Sequence, residues 1–421
     1  MCRTIEREVG WMSEIQSEKP IYFYERPNVK IETLPFGDGI PLGIEQVQNP
    51  RVGIGGAYAG WGMTVDNQSL PKRLEERLGE EVSNSEVGVL DELGFYSRHH
   101  LPDLSPEEHL ELEVEVGARL LQKAAEANGW QPDEVQGVLI GMSSPVCEDY
   151  LERICQKAGI AAEALKVSVH KACDGSVGSL HLALNPLLPL PTTVNIAEEL
   201  RGKKVLVGGI EGLSRFLYAS RDVNALQLFG NGAGVIGIIP GETMKFLSGA
   251  TREAYDEEGV LQVKMTYPHS RESMLEVTQA GQSHLRVAGL MHEPEGDAPI
   301  AMAGMMGMVK LFIRNGVQVV VEVYRAYQQL MEKLGEPGKQ LAVAIAHHAN
   351  YKINKLKEKQ VQSAGIPINF PWLLHDFGNV SAASNMIAFL RYLPNLHPGD
   401  HVLIDGFGAG TYYDSLTVAL S

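Results

Sequence analysis

The chain repeats its own pattern, and this repetition narrows the folds open to it more than any other feature. In the first half an apolar run, Val135–Gly141, precedes a β-rich run that breaks at Cys173, where the small-residue stretch Gly175–Leu184 begins. A further apolar run, Lys204–Gly209, and the glycine-rich Gly230–Gly237 follow. The second half has the same order: Leu341–Ala346 ending at His347, Asn379 opening the small-residue stretch Val380–Leu390, then His401–Asp405 and Gly406–Gly410. Short apolar runs alternating with helix-length ones predict a layered α/β fold. Two similar βαβ-containing halves bring equivalent strand ends together across a pseudo-twofold axis. Cys173 and Asn379 are then expected at matching helix starts facing one pocket.

Around this repeat the patterning predicts a strand over Val52–Ala59 and helices over Leu70–Leu78 and Pro106–Asn128. Residues 1–50, with Ile21–Tyr24 and the turn-rich Pro35–Pro41, differ in texture and read as an N-terminal extension. The division expected is residues 1–50, an N-terminal half over 51–240 and a C-terminal half over 241–421. Val52–Gly60 has Tyr58 where G-x-G-x-x-G needs its last glycine, so no dinucleotide site follows from it.

A formal net charge of −16 argues against broad contact with nucleic acid or an anionic membrane, which would repel such a field. No uninterrupted run of roughly 18 apolar residues occurs, and the first residues carry acids where a secretory signal is apolar, so no membrane span or export is expected. Cys2, Cys147, Cys155 and Cys173 form no CxxC pair, which fits a reducing cytoplasm. The pairs His99–His100 and His347–His348 lie in no zinc-binding frame, and no metal is predicted.

Cys173 is the candidate nucleophile. A thiol at a helix N-terminus faces unpaired N–H groups and the positive dipole end, which can lower its pKa from about 8.5 to roughly 3.5–7.5. A buried structural cysteine is the alternative. Asp174 opposes such a shift through its charge, and a helix-capping role is expected for it. His347 directly follows an apolar strand, where active sites of layered α/β folds collect.

Ala172-Cys-Asp-Gly175, His347-His-Ala-Asn350 and Gly378-Asn-Val-Ser-Ala-Ala-Ser384, in this order, resemble the nucleophile, His-x-Ala-Asn and Gly-Asn-x-Ser-Ala-Ala-Ser motifs of the thiolase superfamily, closest to its ketoacyl-acyl-carrier-protein synthase III group. Phe229–Gly234 and Gly406–Gly410 resemble family loops, and the likeness runs from about Arg51 to the C-terminus. It implies a thiolase-like αβαβα fold, a homodimer, and substrates carried as acyl thioesters on coenzyme A or an acyl carrier protein, with no further cofactor. Cys173 would be acylated. His347 Nε2–H and the Asn379 amide would serve the developing enolate, and the backbone N–H groups of Cys173 and the Gly408–Ala409 turn would form the oxyanion hole. Asn350, Lys352 and Lys355 would line the pantetheine or carrier approach.

Decarboxylative Claisen condensation is the leading reaction implied. Joining two acyl thioesters without decarboxylation, with Glu148 as base across a dimer interface, is an alternative, as is acyl transfer to oxygen or nitrogen. Glu148 is otherwise an ordinary acid in the first turn of the helix running toward Gly159. A non-catalytic partner subunit is the competing class, against which the retained Cys, His and Asn count. The group's Trp and adenine-gripping Arg are both missing from Asn84–Arg98 upstream of its final Arg, and Glu92 stands about where that Arg would fall. Lys352, Lys355, Lys357 and Lys359 form either a carrier docking patch or a solvated face balanced by Glu358. Met302, Met305, Met306 and Met308 lie at helical spacing, which reads as core packing or an acyl tunnel lining.

Overall fold

The computed structural model describes residues 31–36, 39–79, 90–102, 104–143, 147–188, 190, 194–217, 223–253, 276–288, 309–409 and 412–421. Residues 1–30 and the Met302–Met308 stripe lie outside the described residues. The strands are β1 (Ile31–Leu34), β2 (Ile40–Asn49), β3 (Ile54–Trp61), β4 (Met63–Asp66), β5 (Ser97–His100), β6 (Gly137–Gly141), β7 (Leu165–His170), β8 (Val205–Glu211), β9 (Gly232–Ile238), β10 (Met244–Glu253), β11 (Glu276–Gly281), β12 (His284–Ala288), β13 (Leu341–Ala346), β14 (His401–Gly408) and β15 (Tyr412–Leu420). The helices that matter here are α1 (Leu70–Leu78), α2 (Pro106–Ala127), α3 (Tyr150–Ala158), α4 (Gly175–Leu184), α5 (Asn315–Leu334), α6 (Tyr351–Ser363) and α7 (Ser384–Tyr392).

Among the described residues one large sheet runs β1-β2-β3-β9-β8-β6-β7-β12-β11, a smaller one runs β10-β15-β14-β13, and β4 with β5 makes a ribbon. At the heart of the large sheet β6 pairs in parallel with both β7 and β8. In the small sheet β13 runs parallel to β14. Strands β1 and β2, drawn from the segment whose texture set it apart, pair with each other and, through β3, join the large sheet. Strand β12 pairs in parallel with β7.

Side-chain alternation along these strands builds the layers. Leu139 of β6, Val343 and Ile345 of β13 and Val402 and Ile404 of β14 enter one central core with α4 and α7. Their neighbours Val138 and Ile140 turn to the other face of the large sheet, under α2 and α3. Ala344, Ala346 and Leu403 turn to the far face of the small sheet, under α5 and α6. The order is therefore helix, sheet, helix, sheet, helix, the layered α/β fold expected.

Local signals account for the element ends. Ser105 Oγ accepts from Glu108 N and Glu108 Oε2 accepts from Ser105 N, a capping box that starts α2 with Pro106 in its first turn. Helix α1 stops at Gly79 in the left-handed region. The run Gly230–Gly237 is mostly strand β9 rather than a loop, and Gly406–Gly408 continue β14, because small residues let these buried strands pass close to the central helices. Among the described residues no helix is long and apolar enough to cross a membrane.

Candidate active site

Two short 3₁₀ turns pack against each other in the middle layer. One spans Ala172–Asp174 and leads into α4; the other spans Ser381–Ala383 and leads into α7. Each opens on a residue with positive φ, Ala172 at 48° and Ser381 at 45°. Holding a non-glycine residue there costs on the order of 1–3 kcal/mol, a strain typical of functional sites. The preceding residues match too, Lys171 at φ −129°, ψ 34° and Val380 at φ −109°, ψ 32°. Ala172 is thus the equivalent of Ser381, which sets Cys173 against Ala382 and His170 against Asn379. The pairing of Cys173 with Asn379 expected from the sequence is three residues out of register. Small residues mark both turns, but only the backbone angle identifies the matching position.

Ser381 joins the three candidate residues. Its Oγ stands 3.2 Å from Cys173 Sγ. Its N–H donates to Asn379 Oδ1 at 2.9 Å, and its carbonyl accepts from Ser384 Oγ at 2.9 Å. Ser384 Oγ in turn lies 2.6 Å from His347 Nδ1. Sequence reasoning quoted Ser381 inside a motif and gave it no role, since serine carries no sign of a positive φ.

The half-buried Cys173 sits one residue ahead of the N-cap of α4. Burial pushes its thiol up to about 11; the charges of Glu211 and Asp174 add to the rise, and the Ser381 hydroxyl and the Ala409 backbone N–H oppose it. Burial thus works against the lowering expected from the helix start. Gly408 lies tight against this backbone, since a Cβ there would stand 2.6 Å from Lys171 O and 3.0 Å from Cys173 N. With the Ala409 N–H on the sulfur, the Cys173 and Gly408–Ala409 backbones meet at the thiol.

His347 ends β13, its N–H donating to Asp405 O at 2.9 Å and its ring meeting Phe407 edge-on at 5.0 Å between centroids. Burial, with His348 and Lys357 adding to it, depresses the imidazole to about 3, so it is neutral near pH 7. Ser384 has one hydroxyl proton. Donated to Ser381 O, it leaves the imidazole proton on Nδ1 and an acceptor at Nε2; turned toward Nδ1, it moves that proton to Nε2. Asn379 is held by its backbone to Leu228 O and Gly230 N, and its Nδ2 makes only a long 3.5 Å contact with Ala349 O.

Asp174 does not cap α4 through its side chain. It is fully buried, 3.4 Å from Lys171 Nζ, which also pairs with Asp414. Asp414 Oδ1 in turn meets His181 Nδ1 at 2.7 Å. Burial pushes the Asp174 carboxyl up to about 7, against the pull of Lys171. The capping expectation fails because the carboxyl turns inward to a buried lysine.

The remaining candidates lie elsewhere. Glu148 is exposed ahead of Asp149, the N-cap of α3, rather than within its first turn. Asn350 spends its side-chain oxygen on the Ile353 N–H as the N-cap of α6. Lys352 pairs with Glu92 at 2.6 Å and Lys355 with Glu358 at 2.5 Å. Lys357 is buried against Asp405, with its ammonium 4.9 Å from the Phe407 ring centre. The four lysines do not share one solvated face, because helical spacing turns Lys357 into the core.

Residues 331–420 match the family model described as 3-oxoacyl-[acyl-carrier-protein (ACP)] synthase III C terminal. A beta-ketoacyl-[acyl-carrier-protein] synthase III of Prochlorococcus marinus (strain MIT 9313) is 26% identical over 86% of this chain and 95% of its own length. The chain is thus similar to beta-ketoacyl-[acyl-carrier-protein] synthase III over most of its length. Among solved structures similar to this synthase III-like chain, the 3-oxoacyl-[acyl-carrier-protein] synthase III of Aquifex aeolicus VF5 superposes with a TM-score of 0.56 at 17% identity, covering 93% of this chain and all of its own. Cerulenin-bound OleA of Xanthomonas campestris gives 0.55 at 15%, covering 94% and 100%. These two likenesses bear on the fold.

Proposed function

We propose that this synthase III-like condensing enzyme carries an acyl group on Cys173 and joins it to a malonyl thioester by decarboxylative Claisen condensation. The observation that carries the reading is the convergence of Cys173, His347 and Asn379 on Ser381, with two side-chain positions, His347 Nε2 and Asn379 Nδ2, free of strong hydrogen bonds among the described residues. The Cys173 sulfur attacks the thioester carbonyl, and the oxyanion meets the Cys173 and Ala409 N–H groups. The second thioester loses carbon dioxide to form an enolate whose oxygen accepts from Asn379 Nδ2 and from His347 Nε2, with Ser384 turned toward Nδ1. The enolate carbon attacks the acyl carbonyl, and Cys173 leaves as its thiolate. Relatives named beta-ketoacyl-[acyl-carrier-protein] synthase III support a pantetheine-borne acyl donor.

His347→Ala and Asn379→Ala separate the two halves of this scheme. Both variants are expected to keep acylation of Cys173 within about tenfold of wild type while condensation, followed by mass spectrometry of the β-ketoacyl product, falls by roughly 10²–10³. Equal loss of both steps would contradict the assignment.

A further inference from the structure

Cys173 sits between two charged residues that its counterpart turn lacks. The matching backbone angles set Lys171 against Val380 and Asp174 against Ala383, so the chain builds the same turn a second time from uncharged residues. All four side chains are buried. Charge is therefore not needed to form the turn, and burying it is costly. The Lys171 side chain leaves the turn for strand β15, passing Gly178 of α4, where a Cβ would stand 3.0 Å from Lys171 Cδ. Its ammonium pairs with Asp414, lies 3.4 Å from Asp174 Oδ2 and stands 5.5 Å from the ring centre of Tyr412. Asp414 is fixed from α4 as well. Leu187 N–H donates to Asn185 Oδ1, which turns the Asn185 amide N–H toward His181 Nε2 at 2.9 Å. His181 Nε2 thus accepts, and its Nδ1–H donates to Asp414 Oδ1 at 2.7 Å.

Strand β15 is the hairpin partner of β14, with Asp414 opposite Gly406 and Tyr412 opposite Gly408. The hairpin meets the nucleophile's turn at these two glycines. A Cβ on Gly406 would overlap Asp174 Oδ1, and one on Gly408 would crowd Lys171 O and Cys173 N. Ala409, the second N–H donor of the oxyanion hole, follows directly. We infer that Lys171 is a positioning residue: by bridging Asp174 of the turn and Asp414 of β15, it holds the Cys173 and Ala409 N–H groups at the separation the tetrahedral oxyanion needs. The two donors come from segments far apart in the chain, and misplacing either by about 1 Å costs on the order of a hundredfold in rate. Lys171 acts through the backbone it anchors and takes no part in bond making.

The counterpart turn shows why side chains carry this duty. Ala382 is the equivalent of Cys173, and its N–H donates to Glu211 Oε1 at 3.1 Å, which fastens that turn to β8 through the backbone. At Cys173 the same N–H has to stay open for the oxyanion. The turn is therefore anchored by the residues on either side of the nucleophile.

The inference rests on Cys173 being the acyl carrier. Two reactions of Cys173 are compared in wild type, Lys171→Met/Asp414→Asn and Asp414→Asn: acylation by N-acetylcysteamine thioesters of short and long acyl groups, and alkylation by iodoacetamide, each followed by mass spectrometry of the Cys173 peptide. Acylation passes through a tetrahedral oxyanion and alkylation does not. The double change removes one charge of each sign and leaves the His181 Nδ1–H an acceptor. It is expected to slow acylation about a hundredfold while alkylation stays within about threefold of wild type. With Asp414→Asn alone the ammonium turns to Asp174, its remaining carboxylate, and the tie to β15 loosens. The same split is then expected at roughly tenfold, and this variant decides the matter should the double one fail to fold. Acylation within about threefold of wild type, or equal loss of both reactions, overturns the positioning role. A wild-type protein that alkylates yet gains no acyl group from any thioester fails the acyl-carrier reading and takes the inference with it.

Discussion

At the scale of single residues, the candidate nucleophile and its partners were legible because their types are rare and their places after apolar runs are distinctive. Cys173, His347 and Asn379 all reach Ser381 within two hydrogen bonds or contacts. What the sequence could not display was the environment. Cys173 read as an activated thiol from its helix start, yet burial beside Glu211 and Asp174 works against that lowering. Asp174 read as a cap and is a buried partner of Lys171. Lys171 and Asp414 went unremarked because nothing local marks either as buried. Only the assembled fold brings them together.

Elements transmit precision to these residues. Strand β14 supplies Asp405, whose carbonyl accepts from His347 N–H and from Asn385 Nδ2, while its carboxylate pairs with Lys357 of α6. Both charged groups are buried, so removing one leaves the other uncompensated. Lys357→Met is expected to cost roughly 3–5 kcal/mol in urea unfolding, and the added change Asp405→Asn should recover part of that loss. A cost below about 1 kcal/mol would show that the pair does not lock α6 to β14. The periodicity of β13 and β14 was readable as apolar runs. The inward turn of Lys357 was not, because four lysines in one helix look like a solvated face until the helix has a neighbour.

The whole molecule was legible as a layered α/β fold because strands buried on both faces leave continuous apolar runs. The full strand order was not legible: β12 pairs with β7, a partner that no local pattern names. A property of the assembled chain follows from its buried histidines. Burial depresses His100, His170, His181, His347 and His348 to about 3. Unfolded, they take up protons near 6.5, so the stability they support is complete above that pH and is lost as pH falls toward 3. Asp174 and Glu211, pushed up to about 7, act oppositely: their contribution is present at low pH and is lost as pH rises to 7. The histidines outnumber them, so the urea midpoint should be lower at pH 5 than at pH 7.5. An equal or higher midpoint at pH 5 would contradict the neutral, buried histidines.

The central claim, that Cys173 carries the acyl group, is tested most directly by intact-protein mass spectrometry after mixing the protein with acyl-coenzyme A and acyl-carrier-protein thioesters, with Cys173→Ser alongside. The account predicts a mass increase equal to one acyl group in wild type, absent from Cys173→Ser and discharged when a malonyl thioester is added. Release only by a second, unsubstituted acyl thioester would contradict the decarboxylative route. A wild-type protein that gains no mass with any donor would contradict the acyl-enzyme itself.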